Sequence, residues 1–247
     1  MPTIQNGDAT LYYEAFGPAN GFPILTFAPG GLLSAISIWK RPAAPLDPTV
    51  EFADEYRVIA MDQRNAPGQS RAPITAETGW DSFTSDHVAV LDHLGIQQCH
   101  LYGQCIGGPF IFNMLKQHPG RIVAAVIAQP IGRVGELQPG RSGAFDGWAK
   151  TLENHPEATD AVLDAMFLKM YGPGFAYSVG RDFVRNCQTP ALVLAGNDAA
   201  HPFAIAEEIG QLMPHAEFIP EWKDGPALVA AKARMKAFLA EHTPVRT

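Results

Sequence analysis

No run of lysine or arginine stands out in this chain, and its formal net charge is −7. That balance argues against nucleic acid and against an anionic membrane surface as partners. No uninterrupted apolar stretch approaches the ~20 residues that cross a bilayer. The first residues, Met1 to Asp8, have neither a basic start nor an apolar core, so they do not read as a signal peptide. Cysteine is scarce, with only Cys99, Cys105 and Cys187. An odd count argues against a disulfide framework, and no pair has metal-ligand spacing. A reducing cytoplasm is the simplest setting, and it would keep a reactive thiol usable. Apolar residues, in contrast, are plentiful: 47% of the 247 residues, against 17% charged. That suits one large α/β domain spanning residues 1–247 with a substantial core.

Strand patterns alternate with helical ones. Ala9–Phe16 alternates like a half-exposed strand. Pro23–Ala28, Tyr56–Asp62, Cys99–Gln104, Val123–Gln129 and Ala191–Gly196 read as buried parallel strands, with Ala216–Pro220 as the last. Helical patterns fall between them at Asp81–Leu94, Pro109–Gln117, Phe203–Leu212 and Ala227–Ala240. The expectation is a mostly parallel sheet with helices on both faces. Ile131–Asn186 breaks the alternation. It has helical stretches around Gly143–Leu152 and Asp160–Met170, separated by His155-Pro156, with Gly172-Pro173-Gly174 beyond the second. It reads as a small helical lid, about residues 131–186. Its Trp148 and Tyr171, with Phe145, Phe167 and Met170, could wall an apolar pocket. Simple packing of the lid on the body explains such residues equally well.

One stretch carries chemistry. Gly103-Gln104-Cys105-Ile106-Gly107-Gly108 follows a strand pattern and precedes a helical one. That is the context of a nucleophile elbow, with cysteine where serine is usual. The glycines leave room around a nucleophile in a strained backbone. The turn also puts Cys105 at a helix N-terminus, where free N–H groups favour a thiolate. The bland alternative is a glycine-rich turn with an inert cysteine. The histidines at 87, 93, 100, 118 and 155 read as structural; the spacing of six between His87 and His93 does not put them on one face for a metal.

With the elbow in place, other pieces resemble the α/β-hydrolase superfamily, in the right order along the chain. Phe27-Ala28-Pro29-Gly30-Gly31 looks like its oxyanion loop, with Pro29 where a histidine is usual. The resemblance implies that Gly31 and Ile106 supply the two oxyanion N–H groups, with Gly30 beside the substrate. Asp62-Gln63-Arg64-Asn65-Ala66-Pro67-Gly68-Gln69-Ser70 is similar to a structural turn of lipase- and lactonase-like members. Gly196-Asn197-Asp198 resembles the acid loop, with Asp198 in the carboxylate position. The cysteine elbow itself resembles that of the dienelactone hydrolases.

The chain departs from the family after its last strand. The family's histidine belongs there, yet Phe218 to Pro226 contains none, and Asp224 holds the approximate position. Three readings follow. His201, three residues after Asp198, could supply the imidazole. The helix N-terminus could activate the thiol unaided, with Asp198 or Asp224 orienting a water. Or the site could be degenerate and bind without turnover. The leading expectation is a hydrolase that needs no cofactor or metal. It would act on a small ester, lactone or related acyl compound with an apolar portion, through a Cys105 thioester. Acyl transfer through the same thioester and a ligand-binding protein on a retired hydrolase body are the alternatives. The sequence leaves the oligomeric state open.

Overall fold

The structure, a computed structural model, describes residues 2–41, 44–135, 141–172 and 174–245. Pro173 and residues 136–140 of the expected lid therefore lie outside the described residues. Eight strands form one sheet: β1 (Thr3–Asn6), β2 (Ala9–Phe16), β3 (Pro23–Phe27), β4 (Arg57–Met61), β5 (Cys99–Gln104), β6 (Ile122–Ala128), β7 (Ala191–Leu194) and β8 (Ala216–Ile219). Their order is β1-β2-β4-β3-β5-β6-β7-β8. β1 and β2 form a hairpin, β2 runs antiparallel to β4, and every other pairing is parallel. β1 has no counterpart among the strands expected from the sequence; it has four residues and only one of them, Ile4, is buried. Its pairing is set by the two-residue turn at Gly7-Asp8, where Gly7 takes φ 57°.

The α-helices are α1 (Pro48–Glu51), α2 (Trp80–His93), α3 (Gly107–Gln117), α4 (Gly143–Ala149), α5 (Asp160–Tyr171), α6 (Arg181–Asn186), α7 (Phe203–Leu212) and α8 (Gly225–His242). Two cores lie on opposite faces of the sheet, because neighbouring strand residues point opposite ways. Leu25, Ile59, Leu101, Ile127 and Val193 pack with residues of α2, α3 and α7. Ile24, Val58, Tyr102, Val126 and Leu192 pack with Ala231, Met235 and Phe238 of α8. On α2 the buried residues Trp80, Phe83, His87, Val90 and Leu91 recur at helical spacing and turn one face inward.

Between β6 and β7 lie α4, α5 and α6 and, among the described residues, no strand. This segment is tied down over the ends of the parallel strands. Trp80 donates its indole N–H to the Met170 carbonyl at 2.7 Å, and Ser178 Oγ donates to the Pro109 carbonyl at 2.7 Å. No helix among the described residues is long and apolar enough to cross a membrane.

Candidate active site

The elbow is built by the backbone. All six residues of β5 are buried, and the chain reverses at Cys105 with φ 58° before α3 begins. A left-handed conformation at a non-glycine residue costs about 1–3 kcal/mol and persists only when its surroundings fix it. Here the Cys105 N–H donates to the Ala128 carbonyl at 3.1 Å. The Cys105 carbonyl accepts from Gly108 at 3.1 Å and from Ile131 at 3.3 Å. A Cβ on Gly103 would stand 2.9 Å from the backbone of Gly107, and one on Gly107 would stand 3.0 Å from the Phe27 carbonyl oxygen. No larger side chain fits at either position without moving backbone.

The loop from β7 to α7 brings the charged groups. Asp198 Oδ1 accepts from the N–H groups of Ala200 at 3.0 Å and His201 at 2.9 Å. That turn folds His201 back onto its own acid, with Nδ1 at 2.8 Å from Oδ1 and 3.0 Å from Oδ2. Nδ1 therefore carries a proton and Nε2 is the end free to act. Nε2 is buried and, by strict geometry, makes no hydrogen bond. The ring and the Cys105 thiol nonetheless act on each other. Burial pushes the thiol pKa up, but the His201 ring, with the N–H groups of Gly30 and Ile106, outweighs it and brings the thiol below its ordinary value. Burial likewise lowers the imidazole, and Cys105 and Asp198 together raise it above its ordinary value. Such pairs are often loose before substrate tightens them. Asp198 is opposed by burial, yet His201 and then Lys223 hold its carboxyl down at about 2.

The loop after β8 differs from the sequence expectation. Trp222 is buried and donates its indole N–H to the Ala195 carbonyl at 2.7 Å. That anchor turns Lys223 toward the acid loop, with Nζ 2.6 Å from Asn197 Oδ1 and 3.4 Å from Asp198 Oδ2. Asp224, the next residue, is exposed at the N-cap position of α8. Of this loop, Lys223 is the residue that contacts the acid, and Asp224 caps α8 one residue further on.

On the other side of the sulfur, Gly30 (φ 107°) and Gly31 (φ 60°) turn the loop after β3. The N–H groups of Gly30 and Ile106 both favour the thiolate of Cys105. Trp148, expected to line a pocket, is only 1% exposed and gives its indole N–H to the Asn65 carbonyl at 2.9 Å. It fastens α4 to the body. Tyr171 differs. It stacks on Phe167 at 5.2 Å, and its hydroxyl is held neutral by burial and then by the Cys105 charge. Tyr177, which sequence reasoning missed, is affected in the same order, with Arg133 pulling the other way.

The turn after β4 supports the whole edge. Asp62 accepts from Ile36 N–H at 2.9 Å and from Gln69 N–H at 2.7 Å. Arg64 grips the fully buried Asp86 with Nε–Oδ2 at 2.7 Å and Nη2–Oδ1 at 2.8 Å. Breaking such a buried pair costs about 3–5 kcal/mol. Burial, then the Arg64 charge, pushes His87 down to about 3, so it stays neutral against Gln63 Oε1 at 2.7 Å.

Comparison with known proteins agrees with this architecture. A family model described as "alpha/beta hydrolase fold" matches residues 23–167, a span that includes the elbow and ends before Asp198 and His201. A 3-oxoadipate enol-lactonase of Acinetobacter baylyi is 31% identical over 136 residues, 55% of this chain and 47% of that protein. A carboxylesterase of Bacillus subtilis is 26% identical over 81% of this chain and 72% of its own length. This chain thus spans about half of the first relative and nearly three quarters of the second. The crystal structure of an enol-lactonase from Burkholderia xenovorans superposes with a TM-score of 0.69 at 20% identity, covering 97% of this chain and all of that one.

Proposed function

The chain belongs to the alpha/beta-hydrolase fold family, and from that premise we propose that it is a cofactor-independent cysteine hydrolase of small esters, lactones or related acyl compounds. The observation that supports the reading is His201, held by Asp198 at 2.8 Å through Nδ1 while its ring and the Cys105 thiol stabilise each other's charged forms. The Cys105 thiolate attacks the carbonyl carbon, and the carbonyl electron pair moves onto oxygen. N–H groups of Ile106 and of the Gly30-Gly31 turn hold that oxyanion. Its collapse breaks the carbon–oxygen bond, and the leaving alkoxide takes the proton of the His201 imidazolium. Neutral His201 then takes a proton from water, whose oxygen attacks the thioester, and collapse returns the thiolate. The segment 131–186 would act as a lid of the same domain, and a reducing compartment would suit the thiol. The names of the matched relatives, an enol-lactonase and a carboxylesterase, support the same bond type.

Mass spectrometry of the intact protein after brief mixing with p-nitrophenyl acetate tests the reading. An acetyl adduct should appear on Cys105, decay with p-nitrophenol turnover, and vanish with turnover in Cys105→Ala. Turnover surviving in Cys105→Ala would overturn it. An adduct discharged only by added amines or alcohols would replace hydrolysis with acyl transfer.

A further inference from the structure

Among the described residues, four that are not glycine have positive φ: Asn65, Cys105, Gln129 and Tyr177. Asparagine tolerates that region. Cys105 is the elbow, and Gln129 ends the strand that carries its hydrogen-bond partner Ala128. Tyr177, at φ 54°, has no role in the chemistry so far. A bulky aromatic there is a true outlier, and such strain gathers at functional positions. It is also enforced. The Ala176 N–H donates to the Val179 carbonyl at 3.1 Å across the turn, and Ser178 Oγ fastens it to Pro109 in the first turn of α3, just beyond the nucleophile. The Tyr177 ring lies 5.0 Å from that of Tyr171.

Arg133 completes this corner. It follows Ile131, whose N–H donates to the carbonyl of Cys105 itself. Its own N–H donates to the Phe175 carbonyl at 2.9 Å, and its guanidinium donates to the Gly172 carbonyl. So it bridges the two ends of the segment between Tyr171 and Tyr177. Gly172 is a neutral acceptor. Among the described residues, the Arg133 charge meets no carboxylate, and neither tyrosine hydroxyl has a hydrogen-bond partner. A half-buried cation with spare donors is conspicuous in a chain of net charge −7, on the segment that Ile131 ties to the Cys105 carbonyl.

We propose that Arg133 and Tyr177 form a recognition corner for a carboxylate carried by the acyl substrate, so that the preferred esters or lactones are those of acids with a second, anionic end. The proposal rests on the hydrolase reading for its chemistry, but not for its test. The guanidinium offers fixed N–H donors to the carboxylate. The Tyr177 hydroxyl, kept neutral by burial against the pull of the Arg133 charge, with the Cys105 charge adding to burial, stays a donor. The strained backbone holds it there before substrate arrives.

The test is protection of Cys105 from iodoacetamide by butyrate and by its neutral analogue butyramide, at fixed ionic strength. Butyrate should protect about fivefold better in the native protein, the upper range of one partly exposed ion pair. Arg133→Gln should erase that preference, Arg133→Lys should keep most of it, and Tyr177→Phe should weaken it. A general loss of thiol reactivity affects both ligands and cancels in the ratio. Equal protection by the two ligands in the native protein, including none by either, overturns the proposal, as does an unchanged preference in Arg133→Gln. Alkylation needs no turnover, so the hydrolase reading fails separately. If p-nitrophenyl butyrate and p-nitrophenyl hemisuccinate both stay intact while the butyrate preference behaves as stated, the corner stands and the hydrolysis does not.

Discussion

The elbow and the acid loop meet at one sulfur, but they are built from different materials. The elbow is made of backbone: buried β5, two glycines with backbone within 3.0 Å of any added Cβ, and three hydrogen bonds fixing Cys105. Nothing in it can shift without moving the sheet. The acid loop is made of a few polar side-chain contacts, and the Asp198 side chain is 49% exposed. Its histidine needs only to reach the thiol, and a ring can do that from more than one place. In the mechanism proposed for this chain it comes from the loop after β7. Lys223, in the loop after β8, takes the acid's remaining side. The part fixed by sterics has one solution, while the part fixed by reach can move along the sequence.

His201→Gln should break the reach-built half with the largest effect. Loss of a general base costs ~100- to 10,000-fold in kcat/KM. The melting temperature should stay nearly unchanged, since the ring's bonded partner is its own loop; ester-hydrolysis kinetics beside thermal unfolding measure both. Gly103→Val attacks the other half. The added side chain would push on the Gly107 backbone, costing ~1–3 kcal/mol of stability. Displacing the sulfur by about 1 Å would cost ~100-fold in rate. Here, unlike in His201→Gln, rate and stability should fall together, which denaturant titration alongside kinetics will show.

Lys223→Met sharpens the account of the acid loop. A cation disfavours the imidazolium and favours the thiolate, so its removal raises both pKa values. The whole pH–rate profile should move toward alkaline pH by ~0.1–0.7 unit, the range of one partly exposed charge pair. Lys223→Arg should restore it. Asp224→Asn should do least. An exposed helix-cap residue outside the site should leave the pH–rate profile and the Cys105 alkylation rate within about twofold, small for an exposed change.

How much of this was legible in the sequence follows the same division. β2, β5 and α7 begin and end where the periodicity put them, because burial on a regular sheet or helix leaves a regular pattern. The elbow was legible because glycine spacing records a steric demand. Asp198 and His201 were legible as neighbours on one loop. Lys223 was not, because its role depends on the buried Trp222 turning the chain, and that packing leaves no local pattern. Trp148 could be read as pocket wall or as packing, and its bond to the Asn65 carbonyl is a packing contact that the sequence pattern does not reveal. Tyr177 left no periodic trace, since its position comes from a strained turn.

The central claim is that His201 activates Cys105 from the loop after β7. Its most direct test is the rate of Cys105 alkylation by iodoacetamide against pH, in the native protein and in His201→Gln. The thiol lies below its ordinary value because an imidazolium beside it favours the thiolate. Removing that cation removes the favour. The account predicts a midpoint below the ordinary thiol value in the native protein and a clear rise in His201→Gln, with alkylation at neutral pH slowed accordingly. Superimposable profiles for the two proteins would mean that His201 does not act on Cys105, and would contradict the account.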